Sequence, residues 1–306
     1  MAGGKVQGEE TFVIDGSKAG QRLDGVLASL VPEVSRSLWQ RAISDGDVLL
    51  DGHTSRPSQK VLFGSKLTIL KRPQHEVARL VADLRPEVIY QDDNVIVVNK
   101  PAGMIAHPKP GKEEPSLAGT FVSEVTDDRP MRPGIIHRLD RDTSGVTILA
   151  RNPEARSHLE AAFRARRVEK TYWALAWGEF GVGVKRLQFA LSPAGKRVGT
   201  MRVDPLGKPS ETLVRQLRYG DGVSLVEAKP RTGRTHQIRV HLAAIDHPIL
   251  GDATYGRRDN VPRHMLHAYS LGLVLPSGKY KTFYASLPDD FRATMKAYDC
   301  EYEPNE

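Results

Sequence analysis

The sequence predicts an α+β fold in two unequal parts. In residues 11–72, apolar residues recur at helical spacing in two short segments, and short strand-like runs follow them. In residues 86–298, runs rich in β-branched residues alternate with turn sequences, which predicts hairpins beside a few helices. Residues 73–85, which are bounded by prolines, are predicted to form a linker, and residues 299–306 a C-terminal tail.

The composition is that of an ordinary globular protein with an excess of positive charge. The formal net charge is +7 and the pI about 9.4, which would attract polyanions such as RNA or DNA but does not by itself establish nucleic-acid binding. Cys300 is the single cysteine, so an internal disulfide and cysteine-based zinc sites are excluded. No secretory signal and no membrane-spanning run are recognised. We therefore expect a cytoplasmic protein without a membrane partner.

Two helices, each with one apolar face, are predicted within residues 11–72. The apolar positions of the first are Leu23, Val26, Leu27 and Leu30, and those of the second, which Ser35 can cap, are Leu38, Trp39, Ala42 and Ile43. Strands are predicted after the second helix, at residues 48–50 and 66–70.

Residues 134–145 contain a dense group of ionisable side chains, and small or turn-forming residues flank this group on both sides. Two acids, two arginines and a histidine lie between Gly134 and Gly145. Residues 146–150 follow directly and predict a buried strand. Because a loop braced by a core strand can hold reactive side chains in place, we interpret this stretch as the active site.

Several kinds of chemistry are open to this loop on residue type alone. Asp140 and Asp142 could share general acid and base work as in a glycosidase, although their close spacing gives no reason to expect the required separation. Ser144 with His137 could form a nucleophile and its base, but no nucleophile-elbow pattern surrounds them. One aspartate kept ionised by neighbouring arginines is a third possibility, and a structural ion pair a fourth.

Outside this loop, His236 and His241 are candidates for a metal site. They are five positions apart, whereas two ligands on one helical face are four apart, so structural histidines are favoured over a metal site. Helical spacing places Ile238, Leu242 and Ile245 on one face, which predicts that Arg239 lies on a helix packed beside the core.

The other predicted elements frame the central loop. A hairpin is predicted at residues 88–99, a helix near residues 116–125, the clearest helix at residues 153–168, a strand at residues 170–177, a hairpin at residues 211–229, and strands at residues 269–275 and 280–285. Three arginines close the 153–168 helix: Arg164, Arg166 and Arg167. They can complement the helix dipole or contact RNA phosphates, and the sequence leaves both readings open.

Residues 137–145, His-Arg-Leu-Asp-Arg-Asp-Thr-Ser-Gly, resemble the catalytic motif of the RluA-type pseudouridine synthases. Further motifs of that family are resembled in the expected order, at residues 99–104 (Asn-Lys-Pro-Ala-Gly-Met), 169–172 (Glu-Lys-Thr-Tyr), 232–241 (Thr-Gly-Arg-Thr-His-Gln-Ile-Arg-Val-His), 247–252, 255–256 and 266–268. The resemblance covers about residues 86–292. It implies a mostly antiparallel mixed sheet flanked by helices and loops, and isomerisation of uridine to pseudouridine in structured RNA.

The resemblance also implies roles for four residues. Asp140 matches the essential aspartate, which would attack the ribose, attack the uracil ring or abstract a sugar proton. Arg239 matches the arginine that pairs with it, and Tyr172 the tyrosine that stacks on the flipped uracil. Arg138 matches the residue that can insert into the RNA when the uridine leaves the stack. Neither a cofactor nor a metal is implied.

The first part of the chain resembles the RNA-binding domain of ribosomal protein S-four, through residues 20–24, 35–37, 43, 46, 48 and 64–69. Arg36 and Arg41 are expected on the polar side of its second helix, within reach of RNA phosphates; the alternative is a small helical domain with a solvated basic face. This appended domain implies ribosomal RNA, most of all that of the large subunit, as the substrate of a monomeric enzyme. A non-catalytic RNA-binding or ribosome-assembly protein is the alternative from another class.

Overall fold

The computed structural model describes residues 10–31, 36–70, 86–108, 116–126, 132–195, 199–257 and 259–303. These residues form two compact units. The smaller one contains the described residues up to Leu70 and the described parts of 107–120 and 128–133, and the larger one contains the remainder. Residues 1–9 and the predicted linker at residues 73–85 lie outside the described residues.

The smaller unit places helices against a four-stranded antiparallel sheet with the strand order β1-β4-β2-β3. Its strands are β1 (Glu10–Val13), β2 (Val48–Leu50), β3 (His53–Thr54) and β4 (Lys66–Ile69), and its helices are α1 (Leu23–Leu30), α2 (Arg36–Asp45) and the short α3 (Leu117–Thr120). The two predicted helices and both predicted strands are confirmed. Their apolar faces form one core that includes Leu23, Leu27, Trp39, Ile43 and Leu67.

One charged side chain, Asp24, lies fully buried in the smaller unit. Arg22 donates to it through Nε and Nη2, Arg36 through Nη2 over 2.9 Å, and Gln40 through Nε2 over 2.7 Å. Burial by itself would raise the pKa of Asp24, but these hydrogen bonds outweigh it and hold the pKa well below its ordinary value. Arg36 therefore already pairs with a carboxylate within its own domain, although 53% of its side chain remains exposed.

This buried carboxylate predicts acid sensitivity of the smaller unit. Because the folded-state pKa lies below that of the unfolded chain, about 3.9, the stability that Asp24 contributes is present above pH 4 and is lost as the pH falls further. Asp24→Asn should lower the opening free energy of α1 by about 1–3 kcal/mol at pH 7 and flatten this acid dependence. Amide hydrogen exchange of α1 in the full-length protein measures both. An equally steep dependence in Asp24→Asn, or a similar change in Asp47→Asn, would contradict this account.

The larger unit is built on one mixed sheet whose main path has the strand order β10-β9-β11-β12-β8-β13-β7-β6-β5, with β14 paired to β13. The strands are β5 (Glu87–Gln91), β6 (Val95–Lys100), β7 (Ser144–Ala150), β8 (Glu169–Trp177), β9 (Val184–Pro193), β10 (Met201–Val203), β11 (Lys208–Gly220), β12 (Val223–Pro230), β13 (Leu266–Val274) and β14 (Tyr280–Tyr284). Among the described pairs only β7–β13 is parallel. The α+β class and the mostly antiparallel mixed sheet are thus confirmed.

The helices of the larger unit are α4 (Pro153–Arg164), α5 (Gln237–Ala243) and α6 (Asp289–Ala297). One core cluster packs α5 and α6 against β8 and β12, and another packs α4 against β6, β7 and β13. None of the described helices combines the length and apolar character needed to cross a bilayer.

Two predicted helices differ from the structure. The helix predicted at 153–168 ends at Arg164, because Arg166 adopts a left-handed conformation with φ +57°. The helix predicted near residues 116–125 is interrupted: α3 ends at Thr120, and Val122–Glu124 form a separate 3-10 turn. The strand β9 and the helix α6 were not predicted.

The register of three neighbouring strands sets the position of the predicted site. Gly145 of β7 lies opposite Ala268 of β13, and Ala268 lies opposite Tyr172 of β8. On its other side Tyr172 faces Ala228 of β12. Small residues therefore flank Tyr172 in this row across the sheet, and the loop that precedes Gly145 lies beside it.

Candidate active site

The loop at residues 134–145 is held at both ends by glycines that no other residue could replace without a shift. Gly134 has φ +69°, and a Cβ there would lie 2.7 Å from the carbonyl oxygen of Ala150. Gly145 has φ +115°, and a Cβ there would overlap the backbone of Ala268, which is its partner on β13. Close backbone approach and a positive φ both require glycine. The loop is therefore fixed to the sheet where it begins and where it ends.

Buried side chains hold the second half of the loop. The Oγ1 of Thr143 lies 2.8 Å from Nε2 of His264, and the Oγ of Ser144 lies 2.9 Å from Nδ1 of His267. Arg263 donates from Nη1 to the carbonyl oxygen of Asp142 over 2.9 Å and forms a two-point ion pair with Asp290 of α6. The loop is thus tied to β13 and α6.

Lys100, at the end of β6, holds the same loop from the other side. Its side chain is fully buried, and its Nζ donates to the carbonyl oxygens of Pro101, Met104 and Arg141 over 3.0, 2.7 and 2.9 Å. Burial lowers the pKa of Lys100 to about 7, although the carboxylate of Asp142 acts in the opposite direction. Arg141 directly follows Asp140, so Lys100 fixes the backbone next to the Asp140 carboxylate.

Asp140 is brought against Arg239, which lies 99 positions further along the chain. Nη1 of Arg239 donates to Oδ2 of Asp140 over 3.2 Å. Its Nε and Nη2 donate to Oδ2 and Oδ1 of Asp252 over 2.7 and 2.9 Å. Asp252 also accepts from the backbone N–H groups of Thr254 and Tyr255. Burial alone would raise the pKa of Asp252, but the Arg239 guanidinium outweighs it and lowers that pKa. Asp252 therefore holds the Arg239 guanidinium in place, and Arg239 in turn orients the Asp140 carboxylate.

The helix α5 carries Arg239 as predicted, and Gln237 in its first turn fixes the preceding loop. Gln237 is buried, and its amide nitrogen donates to the Glu211 carbonyl and to Thr212. Its amide oxygen accepts from Thr232 Oγ1 and from the Arg234 N–H. A buried amide whose nitrogen and oxygen both have hydrogen-bond partners is a rigid support.

His236, immediately before α5, lies closer to Asp140 than the sequence indicated. Its Nε2 is 3.7 Å from Oδ2 of Asp140, and its Nδ1 is 2.7 Å from the hydroxyl of Tyr255, which accepts from the Met201 N–H. The backbone of His236 is left-handed, with φ +53°, and such strain in a non-glycine residue often marks a functional site. Burial lowers the pKa of His236, although Asp140 opposes this, so the ring is neutral at pH 7.

Asp140 and Tyr172 line one cavity of about 190 Å³, together with Arg138, Lys170 and Ile238. Asp140 retains 20% exposure of its side chain, so it is reachable from this cavity. Burial raises the pKa of Tyr172, and the Asp140 carboxylate adds to the effect, so the phenol keeps its proton at neutral pH. A carboxylate, a protonated phenol and a fixed guanidinium thus line the same cavity.

The remaining candidates from the sequence have other environments. Arg138 is exposed at the cavity. His137 accepts from the Ile148 N–H through Nε2 over 3.1 Å, so it does not face Ser144 as a base. Nε2 of His241 lies within hydrogen-bond distance of Ser210 Oγ, whereas Nδ1 of His236 contacts Tyr255, so the two rings have different partners. The side chain of Arg41 lies outside the described residues.

Comparison with known proteins agrees with this geometry. The RNA pseudouridylate synthase model matches residues 94–244, and the S4 domain model matches residues 21–67. The ribosomal large subunit pseudouridine synthase D of Vibrio vulnificus is 34% identical over 300 residues, which cover 92% of each chain. The chain belongs to the RNA pseudouridylate synthase family. An uncharacterized RNA pseudouridine synthase of Chloroflexus aurantiacus is 38% identical over 94% of this chain and 93% of its own.

The fold of this pseudouridine synthase is also found among solved structures. Human RNA pseudouridylate synthase domain containing 4 superimposes with a TM-score of 0.55 at 26% identity, covering 72% of this chain and 95% of the human one. The chain is thus an isomerase of the pseudouridine synthase class that acts on RNA, with an S4 domain at its N-terminal end.

Three residues of the site were not assigned a role from the sequence. Asp252 and Tyr255 lie in motifs that the family resemblance identified, but nothing in their local pattern indicates a contact with Arg239 or His236. His236 was read as structural because its spacing from His241 was the only geometric test available. The informative signal was its position three residues before Arg239, which places both side chains at the start of one helix.

Lys100→Met tests the support of the catalytic loop. The methionine fills the same buried space but donates no hydrogen bond, so the backbone beside Asp140 loses its anchor. We expect kcat for pseudouridine formation to fall about 10- to 100-fold, with a small change in KM, because slight misplacement of a reacting group is costly. Single-turnover kinetics measure this directly. Unchanged kcat in a folded Lys100→Met protein would show that the anchor is dispensable.

Proposed function

We propose that this protein isomerises specific uridines to pseudouridine in the RNA of the large ribosomal subunit, with Asp140 as the reactive carboxylate. The names of several relatives, including that of Vibrio vulnificus, support this substrate. The observation that carries the proposal is the convergence of Asp140, Arg239 and Tyr172 on one cavity.

The proposed roles follow from the contacts at the cavity. The Arg239 guanidinium holds the Asp140 carboxylate in position, whether it attacks the ribose, attacks the uracil or removes a sugar proton. Tyr172 offers an aromatic face on which the detached base can stack, and its phenol can donate a proton. Arg138, exposed beside the cavity, would fill the space that the flipped uridine leaves in the RNA stack.

The S4 domain is proposed to hold the RNA while the larger unit acts on it. Arg36 and Arg41 would contact phosphates, which position an RNA without reading its sequence. Arg36 can do so while it pairs with Asp24, since about half of its side chain is exposed. We further propose that the enzyme acts as a monomer in the cytoplasm, where its ribosomal substrate would be found.

Pseudouridine mapping tests the proposed function. Large-subunit RNA from cells with and without this protein should differ at one or a few uridines, and re-expression of the wild-type protein should restore them. Identical maps would contradict the proposal. Differences confined to other RNAs would retain the isomerase activity but overturn the ribosomal substrate.

A further inference from the structure

A second cavity, the lateral cavity, lies beside the one that contains Asp140. Its volume is about 440 Å³, and Tyr172, Lys170 and Arg138 line both cavities, so these side chains form the wall between them. Asp140 does not line the lateral cavity. The reaction attributed to Asp140 leaves this space without a role.

One wall of the lateral cavity is apolar and aromatic. Ile136, Phe163 and Val168 line it, and the ring of Phe163 stacks on His137 with 4.8 Å between ring centroids and 20° between planes. His137 is held in place because its Nε2 accepts from the Ile148 N–H. A rigid aromatic pair of this kind is a surface on which a nucleobase can stack.

The rest of the lining is cationic. Six cations line the lateral cavity, and no aspartate or glutamate is present among the described residues that do so: the cations are Arg138, Arg164, Arg166, Lys170, Arg231 and Arg234. Burial, and after it the charge of Arg166, lowers the pKa of Lys170. No carboxylate among the described residues lines the cavity to offset these charges, although Glu211 interacts with Arg231 from outside it, and a bound phosphate would offset them.

The helix dipole accounts for Arg164 but not for the other arginines that line the lateral cavity. Only Arg164 lies in the last turn of α4, whereas Arg166 follows the helix in a left-handed conformation at a position where glycine is usual. A non-glycine residue held there costs free energy, which a function can justify. The sequence left two interpretations open for the arginines at the end of α4, the helix dipole and contact with RNA phosphate. The position of Arg166 favours contact with phosphate.

We propose that the lateral cavity binds a second nucleotide of the RNA, adjacent to the target uridine, with its base against Phe163 and its phosphate among the arginines at Arg166 and Arg231. The shared wall at Tyr172 places this nucleotide next to the uridine in the same strand. The inference rests on the proposed function, because that function identifies the neighbouring nucleotide as the target uridine. It adds a base-binding site that the isomerisation itself does not require.

Double-mutant cycles between protein and RNA test the base-binding site. A synthetic fragment that carries the mapped uridine is made with an abasic residue at each neighbouring position in turn, and its affinity is measured for wild type and Phe163→Leu. At one position the abasic residue should weaken binding to wild type about tenfold and cost little with Phe163→Leu. An equal penalty with both proteins, or none at any neighbouring position, would overturn the proposal.

Cycles of the same kind test the phosphate site. They do not use Phe163→Leu, so they remain informative if that variant does not fold. A neutral methylphosphonate next to the uridine should weaken binding to wild type but not to Arg166→Ala or Arg231→Ala, and both variants should reduce the salt dependence. Lys279→Ala, in the turn after β13, is the control and should behave as wild type. Lack of coupling at every linkage would overturn the phosphate site. Turnover of the intact fragment by wild type tests the proposed function separately.

Discussion

Asp140→Asn should abolish pseudouridine formation while leaving the fold and RNA binding largely intact. Asparagine has the shape of aspartate, but its neutral amide can neither attack carbon nor accept a proton from the sugar. Arg239 would still be held by Asp252, so the surrounding structure has no reason to change. We expect a loss of more than about 1000-fold in kcat, the scale seen when a reactive group is removed.

Asp142→Asn is the matched control for this variant, since it makes the same chemical change two positions away. Only the backbone carbonyl of Asp142 has a described hydrogen-bond role in the loop, and the substitution preserves it. Because the Asp142 carboxylate favours the protonated form of Lys100, turnover of the Asp142→Asn enzyme should fall no further than that of Lys100→Met, and far less than that of Asp140→Asn. Normal turnover by Asp140→Asn would refute the assignment of the reactive group, and equal losses in both variants would indicate damage to the loop.

Arg239→Met should be the most damaging change among the partners of Asp140, because it removes two interactions at once. The Asp140 carboxylate loses the group that aims it, and Asp252, which is 1% exposed, is left buried without its cation. Loss of one partner of a buried ion pair typically costs about 3–5 kcal/mol of unfolding free energy. We expect that loss together with a decrease in kcat of about 100-fold or more.

A second substitution separates folding from catalysis in this variant. In Arg239→Met with Asp252→Asn, the neutral amide at 252 can still accept from the Thr254 and Tyr255 N–H groups, and no charge is left unpaired. Denaturant unfolding should show that most of the stability returns, whereas single-turnover kinetics should show that activity does not. Recovery of activity along with stability would mean that Arg239 acts only through the fold.

Helical spacing predicted α1 and α2 because each of them buries an apolar face, and it predicted α5 from Ile238 and Leu242, although polar residues of α5 are buried as well. It failed at the end of α4, since no glycine or proline signals the turn that Arg166 makes. The strand β9 was missed because only two of its ten residues, Leu187 and Leu191, are buried, which leaves little alternation to detect. For α6 the signals were present, since Pro288 precedes two aspartates in the first turn.

Charged residues were the hardest to place from the sequence. Arg36 was expected on the polar side of its helix, but it also pairs with Asp24. Asp24 is buried, and nothing in the helical pattern indicates that a charged residue is buried there. Lys100 was recognised only as part of a motif, and its complete burial under three carbonyl oxygens follows from how the loop folds over it. Local patterns report apolar faces and do not report which charges will be neutralised by distant partners.

The sequence by itself determined the two-part organisation, the family through its ordered motifs, and the candidates Asp140, Tyr172 and Arg239. Residues 134–145 are less self-sufficient than their composition suggests, since Lys100, Arg263 and Arg239 hold or aim them from elsewhere in the chain. Only the tertiary structure decided that Arg239 divides its guanidinium between two aspartates, that His236 lies beside Asp140, and that a second cavity adjoins the first. The reason is physical: β7 pairs with β13, β13 with β8, and β8 with β12, which leads into α5, so groups about a hundred positions apart meet, and no local periodicity records that pairing.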